Sequence, residues 1–284
     1  MNKKQELLSI IERAFAEDVR DGDHTSLACI GKEPTGKAKL IIKEEGVIAG
    51  IEAAVEVFKF YDSGLKVTTN IKDGAKVKYG DVAFQVEGSA LSILTAERIA
   101  LNIMQRMSGI ATKTAQYVKA IEGTEATVID TRKTTPGIRL LEKWAVRIGG
   151  GGNHRMGLYD MMMIKDNHID FCGGIKRAII AANKYLEENE LDMAIEIETR
   201  NFEEIRRVLE VGRVNRIMLD NFTPSDLKKA VEMIDGRFET EASGGITLET
   251  IRSYADTGVH YISSGALTHS AVSMDMSLKA IIEK

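Results

Sequence analysis

The residues with chemistry to offer lie late in the chain and come in three groups. The first is cationic. Arg132 and Lys133 end the run ATVIDTRK, His154 and Arg155 follow the glycines Gly149 to Gly152, and Lys165 and His168 close DMMMIKDNH. An isolated Arg or Lys in a loop is ordinarily a solvated surface residue. Several converging on one pocket are a different matter: the planar fork of Arg holds a carboxylate bidentately and Lys adds a point charge, so the group suits a small ligand carrying two carboxylates or phosphates. The glycines are a flexible turn or a means for backbone to approach a ligand closely while carrying His154 and Arg155 into position. The second group is acidic, with Glu198 in EIETR and Asp220 in MLDN. These two serve either as ion-pair partners of Arg132 and Lys133 or as oxygen donors to Mg²⁺, directly or through water, that stabilise positive charge developing on a substrate. Glu196 is assigned to the opposite side of its strand. The third group is small: Ser243, Gly244 and Gly245, then Ser263, Ser264 and Gly265. Backbone N–H groups in such loops suit a phosphate.

The elements that must bring these groups together follow from periodicity. Residues 5 to 17 place Leu7, Leu8, Ile10, Ile11, Ala14 and Phe15 on one helical face, and EDVRDGDHTS reads as a loop. KAKLIIKEEG, GVIAG, LKVTTNIKDG, AKVKYGD and DVAFQVEG read as short strands, with a helix from Ile51 to Tyr61 between them, so the first part is a small α+β unit. A long helix begins at Ala90 and is expected to break at Ser108-Gly109, ahead of a second helix in IATKTAQYVKAIEG. Beyond Gly123 the chain alternates β-branched runs with helical patterns. Glu198 to Asp220 is 22 residues, Asp220 to Ser243 is 23 and Ser243 to Gly265 is 22, the length of one βα unit. Parallel βα units that close into a barrel present their strand ends at one mouth, where active sites sit. Six such endings in place of eight indicate an incomplete barrel.

Composition narrows the classes. With 284 residues and 44% hydrophobic content the chain fills a sizeable core, and two domains are the first expectation. Basic and acidic residues nearly balance, 38 against 42, which gives a net charge of −4. That excludes a general electrostatic attraction to nucleic acid or anionic membrane, so any anion must be met by local charge. Cys29 and Cys172 are far apart and outside metal-binding spacing, which fits a reducing cytoplasm. No apolar run reaches the length of a membrane span, and the charged N-terminus reads as the start of a soluble, unprocessed chain. A binding module for dicarboxylates would use the same cations, but Glu198 and Asp220 would repel its ligand. A metal hydrolase built on His154, Asp166 and His168 lacks a two-histidine helical motif.

Taken in order, TAER (Thr95 to Arg98), SGIAT, DTRKTTPG, GGGGNHRMGLYDMMMIKDNH, EIE, LDNF, EASGGI and ISSGALTHS resemble the quinolinate phosphoribosyltransferases, also called nicotinate-nucleotide pyrophosphorylases (carboxylating), over nearly the whole chain. One departure is Arg20, where the family usually has glycine. The resemblance implies an N-terminal α/β sandwich (1–108), an open, six-stranded, incomplete TIM-like α/β barrel (109–270) and a C-terminal helix (271–284) packing back towards the first domain. It implies a pentosyltransferase that converts quinolinate and phosphoribosyl pyrophosphate to nicotinate mononucleotide, pyrophosphate and CO2 with Mg²⁺, in de novo NAD biosynthesis. By the same resemblance Arg132, His154, Arg155 and Lys165 hold the quinolinate carboxylates, and Arg98 arrives from the partner subunit of a homodimer or dimer-based assembly. Lys133 faces the pyrophosphate, Glu198 and Asp220 face the ribose and metal, and Ser243, Gly244, Gly245, Ser263, Ser264 and Gly265 form the 5′-phosphate region. A related phosphoribosyltransferase acting on another heterocycle is the nearest alternative.

Overall fold

A computed structural model describes residues 2–30 and 34–282. It divides into two compact units. The first comprises the chain up to Ala115, residues 134–150 and the chain from Leu267 onward, and the second comprises residues 116–133 and 151–266.

The first unit opens with α1 (Lys3–Asp18), whose Asn2 cap and Gln5 satisfy each other's backbone N–H groups. Arg20 follows with φ 46°, the left-handed conformation that glycine adopts without strain. EDVRDGDHTS is therefore only partly loop, because α2 (His24–Cys29) starts within it, capped by Asp23. Strands β1 (Thr35–Ile42) and β2 (Gly46–Val47), helix α3 (Ile51–Tyr61), then β3 (Lys66–Thr69), β4 (Lys76–Val77) and β5 (Val82–Ser89) occur where the short apolar runs place them. Phe58 of α3 meets Phe84 of β5 edge to face, and Phe15 of α1 stacks on Phe60 and Tyr61.

Helix α4 (Ala90–Ala120) runs unbroken through Ser108-Gly109, contrary to the expected interruption. The small residues there serve close packing. Ser108 Oγ accepts from the Ala49 amide at 2.9 Å and donates to the Ala49 carbonyl at 3.1 Å, and a Cβ on Gly109 would lie 2.0 Å from the Val272 carbonyl oxygen. The expected C-terminal helix is also a strand. Met276–Ala280, numbered β12 in chain order, pairs antiparallel with β1, with Met276 opposite Ile42 and Ala280 opposite Ala38, to give the sheet order β12-β1-β5-β3. Met276 and Leu278 are buried with Ser277 between them, a period of two that fits a sheet and not a helix. Glu283 and Lys284 lie outside the described residues.

In the second unit all strand pairs are parallel. In chain order the elements are β6 (Thr127–Ile129), α5 (Arg139–Ile148, which belongs to the first unit), β7 (Met162–Ile164), α6 (Asp166–Cys172), α7 (Ile175–Glu188), β8 (Ile195–Thr199), α8 (Phe202–Val211), β9 (Arg216–Asp220), α9 (Pro224–Ile234), β10 (Glu239–Ser243), α10 (Ile251–Ala255), β11 (Tyr261–Ser263) and α11 (Ala266–His269, which from Leu267 onward belongs to the first unit). The strand order β6-β11-β10-β9-β8-β7 makes a six-stranded α/β barrel left open between β6 and β7. Short connections keep the strand ends level. Asn201 caps α8, and Thr223 caps α9 with Pro224 in its first turn. The helices bury apolar stripes, such as Leu227, Ala230 and Ile234 of α9.

Candidate active site

At the C-terminal ends of the barrel strands lies a cavity of about 340 Å³, lined by Arg132, Lys133, His154, Arg155, Lys165, Glu198, Asp220, Ser243 and Ser263, with Thr131, Met163, Met218 and Glu241. The cationic and acidic groups thus meet in one pocket. Gly244, Gly245, Ser264 and Gly265 follow directly on lining strands, whereas Arg98 is exposed on α4 in the first unit. A larger groove of about 800 Å³ lies in the first unit, where Lys3 stacks on Trp144. Its half-buried acid, Asp73, is occupied with the Ile51 and Glu52 amides at the start of α3.

The DTRK and NHR segments are fastened together by Asp130, which is fully buried. Its carboxylate accepts the His154 amide at 2.8 Å and the Asn153 side-chain amide at 2.7 Å. The preceding glycines press against the protein itself. A Cβ on Gly149 would stand 2.5 Å from the Ala111 carbonyl oxygen, and one on Gly152 would stand 2.8 Å from Ile129 Cγ2. Gly152 thereby bridges to the outer edge of β6. Beyond them Arg155 donates to the Met161 carbonyl at 3.2 Å, while Asp160 accepts the amides of Met156 and Gly157 and closes the turn. His168 does not line this cavity. Its Nδ1 accepts the Lys165 amide at 2.9 Å at the start of α6, a role that leaves little of the hydrolase arrangement.

Glu198 and Asp220 come from adjacent strands. Burial and then the neighbouring Asp220 charge push the Glu198 carboxyl above its ordinary range, with Lys165 opposing. Burial also raises Asp220, against a hydrogen bond from Asn221 and the charge of Lys165. Two hard oxygen donors that resist ionisation beside each other are the kind of pair a divalent cation relieves, and Mg²⁺ fits that donor set. At the next strand end Gly244 has φ 104°, and a Cβ there would lie 2.2 Å from Asn221 Oδ1. Ser264 donates its amide to the Ile129 carbonyl at 3.0 Å, which ties the β11 loop to β6.

At the pocket floor and below it lies a charged layer that strand-end reasoning missed. Glu196 was assigned away from Glu198, but residues two apart on a strand share a face. Glu196 is wholly buried in the barrel interior with Glu241, and His154 Nε2 stands 3.0 Å from Glu196 and 3.5 Å from Glu241. Arg216, at the start of β9, reaches Glu241 at 3.1 Å. Burial, opposed by Arg216, pushes Glu196 up to about 7, and burial together with Glu196 pushes Glu241 up to about 8. Burial and the like charge of Arg132 lower Arg155, with Glu196 and Asp160 opposing. The ligand atoms of His154, Glu196 and Glu241 lie within 4.8 Å of one another, close enough for a metal, but the Arg216 guanidinium already supplies the positive charge at Glu241. Period-two alternation from Glu198, Asp220 and Ser243 was the available signal: counting back two or four residues finds Glu196, Arg216 and Glu241.

Comparisons with known proteins show the family of the chain. The family models for the N-terminal and C-terminal domains of quinolinate phosphoribosyl transferase match residues 23–108 and 110–279. A quinolinate phosphoribosyltransferase [decarboxylating] 1b from Nicotiana tabacum is 49% identical, over 96% of this chain and 82% of its own. A probable nicotinate-nucleotide pyrophosphorylase [carboxylating] from Bacillus subtilis is 42% identical, over 98% and 94%. The solved nicotinate-nucleotide pyrophosphorylase from Francisella tularensis superposes with a TM-score of 0.91 at 36% identity, over 99% of this chain and 98% of that one. With both domain models matched in order and relatives aligned almost end to end, the chain belongs to the quinolinate phosphoribosyltransferase family.

Proposed function

We infer that the protein transfers the phosphoribosyl group of phosphoribosyl pyrophosphate to quinolinate and releases pyrophosphate and CO2, forming nicotinate mononucleotide for de novo NAD biosynthesis. The observation that carries this reading is the pocket itself, where Arg132, Arg155 and Lys165 converge with Glu198 and Asp220. Cations on one side suit the two carboxylates of quinolinate, and acids on the other suit a ribose that becomes positive. His154, on the same floor, belongs to the carboxylate side. Lys133 faces the pyrophosphate, and the backbone of Ser243-Gly244-Gly245 and Ser263-Ser264-Gly265 receives the 5′-phosphate.

The C1–oxygen bond to pyrophosphate breaks with its electron pair leaving on oxygen, and the pyridine nitrogen forms the new bond to C1. Glu198 and Asp220 stabilise the oxocarbenium-like centre between those events, and Lys133 neutralises the leaving group. Mg²⁺ held by Glu198 and Asp220, directly or through water, would supply further neutralisation of pyrophosphate charge. Loss of CO2 next to the quaternised nitrogen leaves an electron pair on the ring carbon, which takes a proton, and the surrounding cations stabilise that pair until it does.

Assembly is part of the reading: a homodimer, or a higher oligomer built from it, in which Arg98 of the partner subunit completes the site. Two features support this. Arg98 is exposed on α4, and the second unit exposes the large apolar side chains Leu158 (71%), Tyr159 (74%) and Phe171 (91%) around its open edge, a surface that calls for a partner. A cytoplasmic setting fits the two free cysteines, and no helix among the described residues is long and apolar enough to cross a membrane. The deciding assay is product formation by the purified protein. Nicotinate mononucleotide should form from quinolinate and not from nicotinate, and the reverse preference would refute the assignment.

A further inference from the structure

The chemistry of His154 is directed into the protein as much as into the pocket. Its Nδ1 accepts the amide of Arg155 at 2.7 Å, and an accepting ring nitrogen carries no proton, so the proton of the neutral ring sits on Nε2. Nε2 in turn stands at ion-pair distance from Glu196 and Glu241, neither of which has any exposed surface. One nitrogen of the imidazole is therefore hydrogen-bonded within its own loop, and the other faces the two buried acids. The anchoring reaches down the barrel, because Arg216 binds Glu241 at 3.1 Å through Nη1 and is itself held from outside by Glu239 and lies over the ring of Tyr261. It also reaches forward, since the residue whose amide His154 receives carries the guanidinium that lines the pocket.

Buried carboxylates of this kind are costly unless they are paired, and an apolar layer of equal volume would fill the barrel without that cost. The layer is placed where it fixes one ring and, through the ring, one arginine. We propose that Glu196 and Glu241, held by Arg216, are positioning residues that act through His154 to fix the backbone of Arg155, and so the guanidinium that receives a substrate carboxylate. The inference rests on the quinolinate reading of the pocket and assigns to His154 a supporting role beneath the substrate. Its second-layer logic is that of groups which orient a ligand-binding residue without touching the ligand.

The test uses the full-length enzyme and a double-mutant cycle. Glu196→Gln is nearly isosteric and should raise the KM for quinolinate about tenfold, the scale on which a group that orients a ligand-binding residue acts, with the KM for phosphoribosyl pyrophosphate within about twofold of wild type. His154→Ala should raise the quinolinate KM at least as much. If Glu196 acts through His154, adding Glu196→Gln to His154→Ala brings no further loss. In ¹⁵N-histidine-labelled protein, His154 should show an unprotonated Nδ1 and a protonated Nε2, and the Nε2 resonance should move in the Glu196→Gln variant. Additive losses in KM, or a protonated Nδ1, would overturn the proposal. Should Glu196→Gln not fold, Glu241→Gln takes its place with the same expectations. Wild-type enzyme that makes no nicotinate mononucleotide would refute the proposed function, whereas an active wild type with additive variants would refute only this inference.

Discussion

Gly109→Ala separates two readings of the long helix, because they predict opposite signs. If Ser108-Gly109 were a weak point between helices, alanine would strengthen the helix by about 1 kcal/mol through propensity alone. In the folded protein the added methyl carbon would lie 2.0 Å from the Val272 carbonyl oxygen, 2.9 Å from its carbonyl carbon and 3.2 Å from Ser273 Cα. A normal carbon–oxygen contact is about 3.3 Å, so α4 and the 272–273 backbone would have to part by roughly 1.3 Å. The neighbouring bonds resist that shift. Arg106 holds the Thr268 and Ala271 carbonyls at 2.5 and 2.9 Å while its guanidinium is gripped by the buried Glu142, and Gln105 binds the Met274 amide and Met276 carbonyl. Overpacking costs about 1–3 kcal/mol, and one or two stretched hydrogen bonds cost about 1 kcal/mol each. After the helical gain the expected loss is about 1–4 kcal/mol. Trp144, the only tryptophan in the chain, lies on α5 in the same unit, so its fluorescence in a urea titration reports the right transition. A higher midpoint for the alanine variant would refute the close-packing argument.

Three further outcomes follow from the site. Glu198→Gln should lower kcat about 10²–10³-fold, as loss of one preorganised electrostatic group does, with smaller changes in both KM values; steady-state kinetics at saturating Mg²⁺ checks this, and wild-type turnover would reduce Glu198 to an ion-pair partner. The folded-state pKa of Glu241 is raised to about 8 from an ordinary 4.5, so the stability it contributes is fully present below about pH 4.5 and is lost as pH rises towards 8. Glu241→Gln should therefore flatten the decline of Tm between pH 5 and 8, and parallel curves for variant and wild type would contradict the buried-acid assignment. Arg98→Ala and Lys133→Ala homodimers should each be nearly inactive, yet mixed dimers carry one intact site, and random exchange should restore about a quarter of wild-type activity. No recovery in dimers confirmed as mixed would place Arg98 outside the partner's site.

What could be read from the sequence depended on whether the signal was local. The helix Ile51–Tyr61 matches its apolar spacing, and the steps of 22 or 23 residues from Glu198 to Gly265 are the strand-to-strand repeat of the parallel barrel. The pocket was legible for the same reason, since parallel strands deliver their last residues to one mouth whatever their order. Long-range partners were not legible. SMDMSLKA becomes a strand because β1 offers it an edge, and nothing within those residues announces that edge. Ser108-Gly109 has the composition of a helix break and the function of a contact surface, which only the position of Val272 reveals. Arg20 takes a left-handed conformation that glycine adopts without strain, and nothing in its own residue type announces that.

The charged layer under the pocket shows why strand ends alone are an incomplete guide to a barrel's chemistry. Alternation sends every second residue inward, so each end residue has a companion two positions earlier on the same face. For Asp220 that companion is Met218, and Arg216 lies one step deeper; for Ser243 it is Glu241; for Glu198 it is Glu196. In an ordinary parallel barrel these inner positions are filled with branched aliphatic residues and carry only packing. Here they carry two acids and a guanidinium, with His154 reaching in from a loop. Such groups are stable inside a barrel only as a paired set, so changing one strand's inner residue exposes an uncompensated charge on another. That interdependence links β8, β9 and β10 to the NHR loop through one set of polar contacts. A site that must hold several cations close enough to share one dianionic substrate works against their mutual repulsion: burial first, and then the charge of Arg132, lower the proton affinity of Arg155. Glu196 and Asp160 oppose that lowering.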